Sequence, residues 1–560
     1  MPRSCTDQVS SVLCIIYHIY LVFAHLFYKN SGTQLLVILL SYNLILCFSG
    51  IKSLLFFSLY TNGAETLSTK KHPGQIHCLN CIRAVSTTWV IAGHINLLLN
   101  TRKYFLNQAF LNAFPAVDSF FLIGGVLAGF LFIKEMTRHP KNLKSGVYWS
   151  LYYIHRYIRL SVPYFFFIGF YVMMWPYLTK GPMQADSDID LCKKYWWRNV
   201  LYISNFFDTT EICMIHTWYL STDMWIHYFT PLLLIPLCFS PFLGGMVALL
   251  LMLVTIGTTY GTYNKYHFPA SCFLDCSMHT NPAAMNDFMK YIYMAPWIRF
   301  IPNVIGVVTG YFMYKINGRK IRLHWLQLQA ISGLLWIAAI TTGVGCLYGL
   351  YDYNQGKTTL SDFQSASYYI FHRIGWSLSL AWVVFACHHD MAGLIKNFME
   401  HGFWMPLARL GYCAYLIHFM VIYVFLSQNK APLHFDNMTY MHVGLPCFVI
   451  AYAFSFVWSC SFELPFAKLE KLITTMIIGS LMRRQTATTK VLSTNTEKAN
   501  TIVFEASNKD QTPASFGIIK LPNGNAYKEL DLSGFSRLPP YNAQNANFSV
   551  ATISKNDQRF

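Results

Sequence analysis

Arg83 and His94 stand in one apolar run, CIRAVSTTWVIAGHINLLL, at residues 81–99. On a helix, eleven steps of about 100° overshoot three turns by only about 20°, so the two side chains share a face. At about 1.5 Å of rise per residue they lie about 16 Å apart along it. A guanidinium at the mouth of such a run can hold an anionic group. An imidazole deep inside is the side chain best suited to move protons near neutral pH. Both have plainer uses too. A boundary arginine snorkels to headgroups and marks topology, and a lone histidine in a bundle can simply bond to a neighbouring helix.

More polar residues interrupt other apolar runs. AVDSFFLIGGVLAGF places Asp118 and Ser119 at the start of the next helix, close to His94 if the two helices form a hairpin. A carboxylate there would orient the imidazole and stabilise its protonated form, or else only cap the helix. Gly124 and Gly125 permit close backbone approach. Asp223 and His227 are four apart, on one helix face. His372 with Arg373, then His418, then Glu463 follow in later runs. Together they imply a polar cavity inside an apolar bundle. His77, Cys78 and Cys81 in HCLNC make half of a metal-like pattern with no second pair nearby, so no metal is expected.

The elements that must position these residues are membrane helices. Of 560 residues 54% are hydrophobic and 12% charged, about half the charge of a soluble protein. Apolar runs near the roughly 20 residues that span a bilayer occur at about 11–28, 34–59, 84–100, 114–133, 157–176, 216–238, 241–260, 297–315, 326–350, 366–388, 404–427 and 442–462. The expected fold is an all-α polytopic membrane protein, a bundle of about ten core transmembrane helices plus one or two N-terminal helices. Residues 1–74 hold hydrophobic N-terminal segments and a linker, 75–475 the membrane domain, and 482–560 a polar tail unable to bury enough apolar area to fold alone. Residues 11–28 read as a signal peptide or a first transmembrane helix.

The net charge of +17 fits basic loops on the cytoplasmic side better than nucleic-acid binding. Loops 134–156 and 316–325, the segment before residue 84 and the start of the tail carry these charges, so all face the cytoplasm if the helices alternate. The opposite side receives Cys192, Cys213, Cys272 and Cys276 and the sequon Asn437-Met438-Thr439, which suits an oxidising, glycosylating compartment. A Cys192–Cys213 bridge is one of several pairings open to four cysteines.

The motifs in order resemble acyltransferase family 3, integral-membrane enzymes that move acyl groups to carbohydrates and other acceptors, and within it the animal nose resistant to fluoxetine (NRF)-like branch. NCIRAVSTTWVIAGH is similar to the family's Arg-x10-His helix, VDSFFLIGGVLAG to its aspartate-bearing second helix, and RYIRLSVPY to its basic third-helix entry. CKKYWWRNVLYISNFF, CMIHTWYLSTDMW, WIRFIPNVIGVVTGY, RLGYCAYLIH and FELPF continue the likeness, from about residue 75 to 475. Animal members often begin with a sizeable cysteine-containing extracellular domain. Only about 75 residues precede the first motif, so that domain is not expected here.

The resemblance implies an acyl donor, acyl-CoA, as co-substrate reached from the cytoplasm, with no bound cofactor. Its polyanionic end suits Arg83, Arg156 and Arg159. His94 would be catalytic, as general base toward an acceptor hydroxyl, and Asp118 and Ser119 would orient His94 or the acceptor. Asp223, Arg373 and His418 would line the substrate cavity. The expected partners are membrane lipids, the acyl-CoA donor and an acceptor of unknown identity, with no nucleic acid. The expected place is the plasma membrane or endoplasmic reticulum, with a cytoplasmic tail. The other class of function is a transporter or lipid- and drug-handling protein that keeps the scaffold without the chemistry.

Overall fold

The computed structural model describes residues 55–71, 74–99, 105–179, 187–271, 281–316, 325–428, 436–476 and 479. The segments expected at 11–28 and most of 34–59, Cys272, Cys276 and the tail from 482 lie outside these. Among the described residues every regular element is helical.

The main helices are α1 (Leu59–Leu67), α2 (Cys78–Leu99), α3 (Phe114–Arg138), α4 (Gly146–Leu178), α5 (Ser187–Val200), α6 (Trp218–Phe229), α7 (Pro231–Phe239), α8 (Pro241–Tyr266), α9 (Pro282–Phe288), α10 (Phe300–Ile316), α11 (Trp325–Tyr348), α12 (Asp362–His388), α13 (Gly393–Met399), α14 (Trp404–Ser427) and α15 (Asn437–Trp458). Among the described residues seven helices are long and apolar enough to cross a membrane, and the last of these runs on from α15 as far as Met476. This is an all-α polytopic membrane protein.

Several boundaries differ from the sequence reading for identifiable reasons. The run 216–238 is two helices, α6 and α7, divided where Pro231 follows Thr230. Proline cannot supply the amide that would continue the ladder. Helix α4 begins eleven residues before the expected 157, because the Ser145 hydroxyl accepts from the Tyr148 amide and caps it there. Asp118 is no cap: Pro115 stands in the first turn of α3, and the aspartate lies inside the helix.

Two parallel helix pairs set the register of the polar residues. In the first, α3 meets α10 backbone to backbone. A Cβ on Gly125 would fall 2.3 Å from the Asn303 carbonyl oxygen, and one on Gly129 2.3 Å from that of Val307. Reciprocally, a Cβ on Gly306 would fall 2.3 Å from the Leu122 carbonyl oxygen, and one on Gly310 2.2 Å from that of Val126. This is the small-xxx-small contact of membrane helices, in which backbones touch because no side chain separates them. Gly124 takes no part, since a Cβ there would meet nothing within 4 Å; the partner of Gly125 is Gly129, one turn on. Asp118 stands seven residues before Gly125, and Arg299 seven before Gly306. Seven residues are nearly two turns, so the glycine contact also aligns these two charges.

In the second pair, α2 meets α14. A Cβ on Gly411 would lie 2.9 Å from Thr87 Oγ1. His94 stands seven residues after Thr87, and His418 seven after Gly411. The close approach at Thr87 therefore brings the two histidines level two turns further along.

At one end of the bundle, α5 and the turns after it are folded back by a Cys192–Cys213 disulfide. The same end holds ion pairs between Arg198 and Glu211 (2.8 Å) and between Lys290 and Asp208 (2.8 Å). At the other end Arg409 donates to the carbonyls of Glu65 (2.6 Å), Thr66 (3.0 Å) and Ser68 (2.6 Å), closing the C-terminus of α1.

Candidate active site

His94 Nδ1 lies 2.9 Å from His418 Nε2, with the two rings stacked at 5.0 Å between centroids. His418 Nδ1 lies 2.6 Å from the Tyr415 carbonyl oxygen. A carbonyl only accepts, so His418 Nδ1 carries the hydrogen. In a neutral ring its Nε2 then has only a lone pair to offer. His94 Nδ1 must therefore donate, which leaves the lone pair of His94 on Nε2. Two bonds in series fix both tautomers. His418 is fully buried, whereas His94 is partly accessible.

A third ring completes the cluster. His216 Nε2 donates to the Leu416 carbonyl oxygen at 3.2 Å, and its ring stacks on Phe419 at 4.7 Å and meets His418 edge-on at 5.6 Å. It is delivered by the turn after Cys213, where Met214 adopts the left-handed conformation with φ of 55°.

Arg83 lies on the same helix as His94, toward its start, within electrostatic reach of Arg156 and Arg159. Arg156 pairs with Asp223, and Arg159 is exposed. Three guanidiniums face one carboxylate at this end, leaving an excess of positive charge. His227, four residues after Asp223, is occupied otherwise: its ring stacks on Tyr152 at 4.2 Å. Glu463 accepts from Ser459 Oγ at 2.7 Å and from the Cys413 thiol at 3.1 Å.

Asp118 and Ser119 do not orient His94, contrary to the sequence expectation. The Asp118 carboxylate accepts from Arg299 Nη1 at 3.0 Å and from Arg373 Nη1 at 3.0 Å and 3.3 Å. Ser119 Oγ donates to the Pro115 carbonyl at 2.8 Å and accepts from Trp376 Nε1 at 2.9 Å. The reason lies in the helix register: the α3–α10 glycine contact presents Asp118 to Arg299, and the partner of His94 comes instead from α14. Arg373 is correspondingly an ion-pair partner inside the bundle. Cys192 and Cys213 are joined, and Asn437 is the exposed first residue of α15, its side-chain oxygen accepting from Asn107 at 2.8 Å.

Residues 76–462 match the acyltransferase domain of the Acyl_transf_3 family, more than half of the chain. The chain belongs to acyltransferase family 3. The match takes in the α2 helix with Arg83 and His94, the Asp118 triad, and both His216 and His418. In Caenorhabditis elegans, nose resistant to fluoxetine protein 6 is 30% identical over 458 residues, which are 76% of this chain and 54% of that protein. Regulator of hypoxia-inducible factor 1, from the same organism, is 22% identical over 348 residues, 58% of this chain and 63% of that protein. The chain thus spans less than two thirds of the length of either relative. No solved structure matches. The family and the long apolar helices together make it a multi-pass membrane protein. Among the described residues no group of three or more His, Cys, Asp or Glu side chains is arranged to hold a metal.

His216 and Arg299 were not singled out from the sequence, although both lie in segments that carry the family likeness. For Arg299 a usable signal existed. It precedes the Gly306-x-x-x-Gly310 pair by the same seven residues that separate Asp118 from Gly125.

Proposed function

We propose that the protein is an O-acyltransferase that moves an acyl group from acyl-CoA to a hydroxyl of a carbohydrate or lipid acceptor, with His94 as general base. The observation that carries this reading is the bond chain from His94 through His418 to the Tyr415 carbonyl. It leaves a basic lone pair on His94 Nε2, the one nitrogen of the two rings without a hydrogen-bond partner among the described residues. In the reaction Nε2 takes the acceptor hydroxyl proton as the oxygen attacks the thioester carbonyl. The C–S bond breaks, and the same proton passes to the departing thiolate. A positioned base of this kind contributes about 10²–10⁴-fold in rate. His418 holds the tautomer and ring orientation. Arg83, Arg156 and Arg159 supply the positive mouth for the polyanionic nucleotide of the donor, and Asp223 fixes Arg156 there.

This arrangement requires the end with Arg83 to face the cytoplasm. The disulfide and Asn437 then face the lumen or exterior, as oxidation and glycosylation need, and the C-terminal tail is cytoplasmic. Glycosidase treatment should shift the mobility of the wild type but not of Asn437→Gln. Equal mobility of the treated and untreated wild type would remove that support for the orientation. The reaction itself is tested with labelled acyl-CoA in membranes containing wild type or His94→Ala. Label should enter an acceptor only with the wild type. Equal incorporation, or none by either protein while a lipophilic compound is still moved, would favour a carrier on the same scaffold.

A further inference from the structure

Two arginines share one carboxylate in the interior of the bundle, and the imbalance points toward a nearby pocket. Arg299 and Arg373 are 0% and 1% exposed, and Asp118 is 0% exposed. Each guanidinium gives one nitrogen to Asp118, and Arg299 Nε donates to the Tyr293 carbonyl at 2.8 Å. Arg299 Nη2 and Arg373 Nε and Nη2 have no hydrogen-bond partner among the described residues. Aromatic faces offset part of this, with Tyr293 4.6 Å from the Arg299 guanidinium and Tyr369 4.3 Å from that of Arg373. One positive charge remains unbalanced in a low-dielectric setting, where such an excess is costly unless an anion compensates it.

The same two rings, Tyr293 and Tyr369, form part of the wall of a small cleft with a cavity volume of about 30 Å³, partly open to the outside. Gln108, Asn354, Tyr368 and His372 also line it. His372 is 5% exposed and Gln108 1% exposed. His372 Nδ1 donates to the Tyr368 carbonyl at 3.0 Å, and its Nε2 has no hydrogen-bond partner among the described residues. Gln108 Oε1 accepts from Asn354 Nδ2 at 3.1 Å, and its Nε2 likewise has none. A buried N–H donor, buried lone pairs on His372 Nε2 and Asn354 Oδ1 and a positive field behind the wall therefore meet in one cleft.

We infer that this cleft is a subsite for a phosphate-type oxyanion. Its oxygens accept from Gln108 Nε2, an acidic hydroxyl on it donates to His372 Nε2, and its charge balances the Arg299–Asp118–Arg373 triad. The inference stands apart from the role of His94. If acyl transfer also occurs, the cleft becomes the place where an acidic group of a substrate is held. A free inorganic ion and a phosphate ester on a larger molecule share this chemistry, and the experiment separates them.

The test is the thermal unfolding midpoint of the purified full chain in detergent, titrated with inorganic phosphate or with glycerol phosphate at constant ionic strength. The wild type should show a saturable rise. Gln108→Leu, which removes the donor, and Arg373→Gln, which leaves one arginine for one carboxylate, should each raise the half-saturating concentration about tenfold, the scale of one charge or one charge-assisted bond. If Arg373→Gln fails to fold, Gln108→Leu still decides. A glycerol phosphate response at tenfold lower concentration assigns the site to an esterified group, and equal responses assign it to the free ion. His94→Ala should respond as the wild type does, so loss of acyl transfer leaves this result standing. A linear rise shared by all variants would be the general effect of an excluded salt and would overturn the inference, as would no response in a wild type that still transfers acyl groups.

Discussion

Two adjacent glycines in α3 should respond to the same substitution with opposite sign. Gly125→Ala puts a methyl 2.3 Å from the Asn303 carbonyl oxygen and 2.9 Å from the Val307 amide nitrogen. Ordinary contact begins at 3.4 Å, about 1.1 Å farther out than the first of these. Both obstructing atoms are backbone, so no rotamer change relieves the clash and the helices must part. Overpacking of this kind costs about 1–3 kcal/mol, and a gap of 0.5–1 Å forfeits a quarter to a half of each remaining contact. Against this, alanine gains up to about 1 kcal/mol of helix propensity over glycine, which leaves a net loss of up to about 2 kcal/mol. Gly124→Ala meets nothing within 4 Å and keeps the propensity gain of up to about 1 kcal/mol. In detergent, the unfolding midpoint of Gly124→Ala should equal or exceed that of the wild type, and that of Gly125→Ala should fall below it. Because Asp118 and Arg299 are aligned by this contact, Gly125→Ala should also disturb the buried triad. Equal midpoints for the two variants would refute the argument that backbone contact sets the register.

Other consequences are open to measurement. Asp118→Asn leaves two buried guanidiniums without a counter-charge and should cost about 3–5 kcal/mol, read as a lower yield of folded protein and a lower midpoint; a variant as stable as the wild type would mean that the triad is not load-sharing. Replacing both Cys192 and Cys213 by serine opens a loop whose ends are 21 residues apart and should cost about 3 kcal/mol. The double variant should resemble the reduced wild type in thermal unfolding. At the disulfide-bearing end, hydrogen bonds from Lys290 and Arg198 hold the Asp208 and Glu211 carboxyls below their ordinary range. Groups lowered on folding stabilise above their unfolded values and lose that contribution as pH falls through the folded ones. Pepsin cleavage within 187–217 should therefore rise as pH drops below the usual carboxylate range. The Asp208→Asn, Glu211→Gln double variant should be sensitive already at higher pH, and matching profiles would count against the ion pairs.

Much of the fold was legible because a membrane helix announces itself by length and composition. The runs at 404–427 and 366–388 end where α14 and α12 end. Arg83 and His94 were legible as a pair because helical periodicity alone puts them on one face. The partner of His94 was not. His418 is 324 residues away, and nothing in the local sequence of α2 names α14. Asp118 was assigned to His94 on the assumption of a simple hairpin, and that assumption failed because register across helices depends on where backbones touch. The informative residues there were the glycines. Gly411 against Thr87, and Gly125 and Gly129 against Gly306 and Gly310, decide which polar residue meets which. Gly124 shows how local this is, since its neighbour is buried against α10 while it touches nothing. His216 escaped notice for a different reason. It is the first residue of the run expected at 216–238, at the edge and not the interior, and it reaches the cluster through a disulfide-bounded turn with a left-handed Met214.

The role of His94 as general base is tested by the single-turnover rate of acyl transfer from labelled acyl-CoA by purified wild type, His94→Gln and His418→Gln. His94→Gln should lose at least about a hundredfold in rate while still binding acyl-CoA at the Arg83 mouth. His418→Gln should lose less, because it only misorients the base. Wild-type rates in His94→Gln, with acyl-CoA bound as before, would contradict the account.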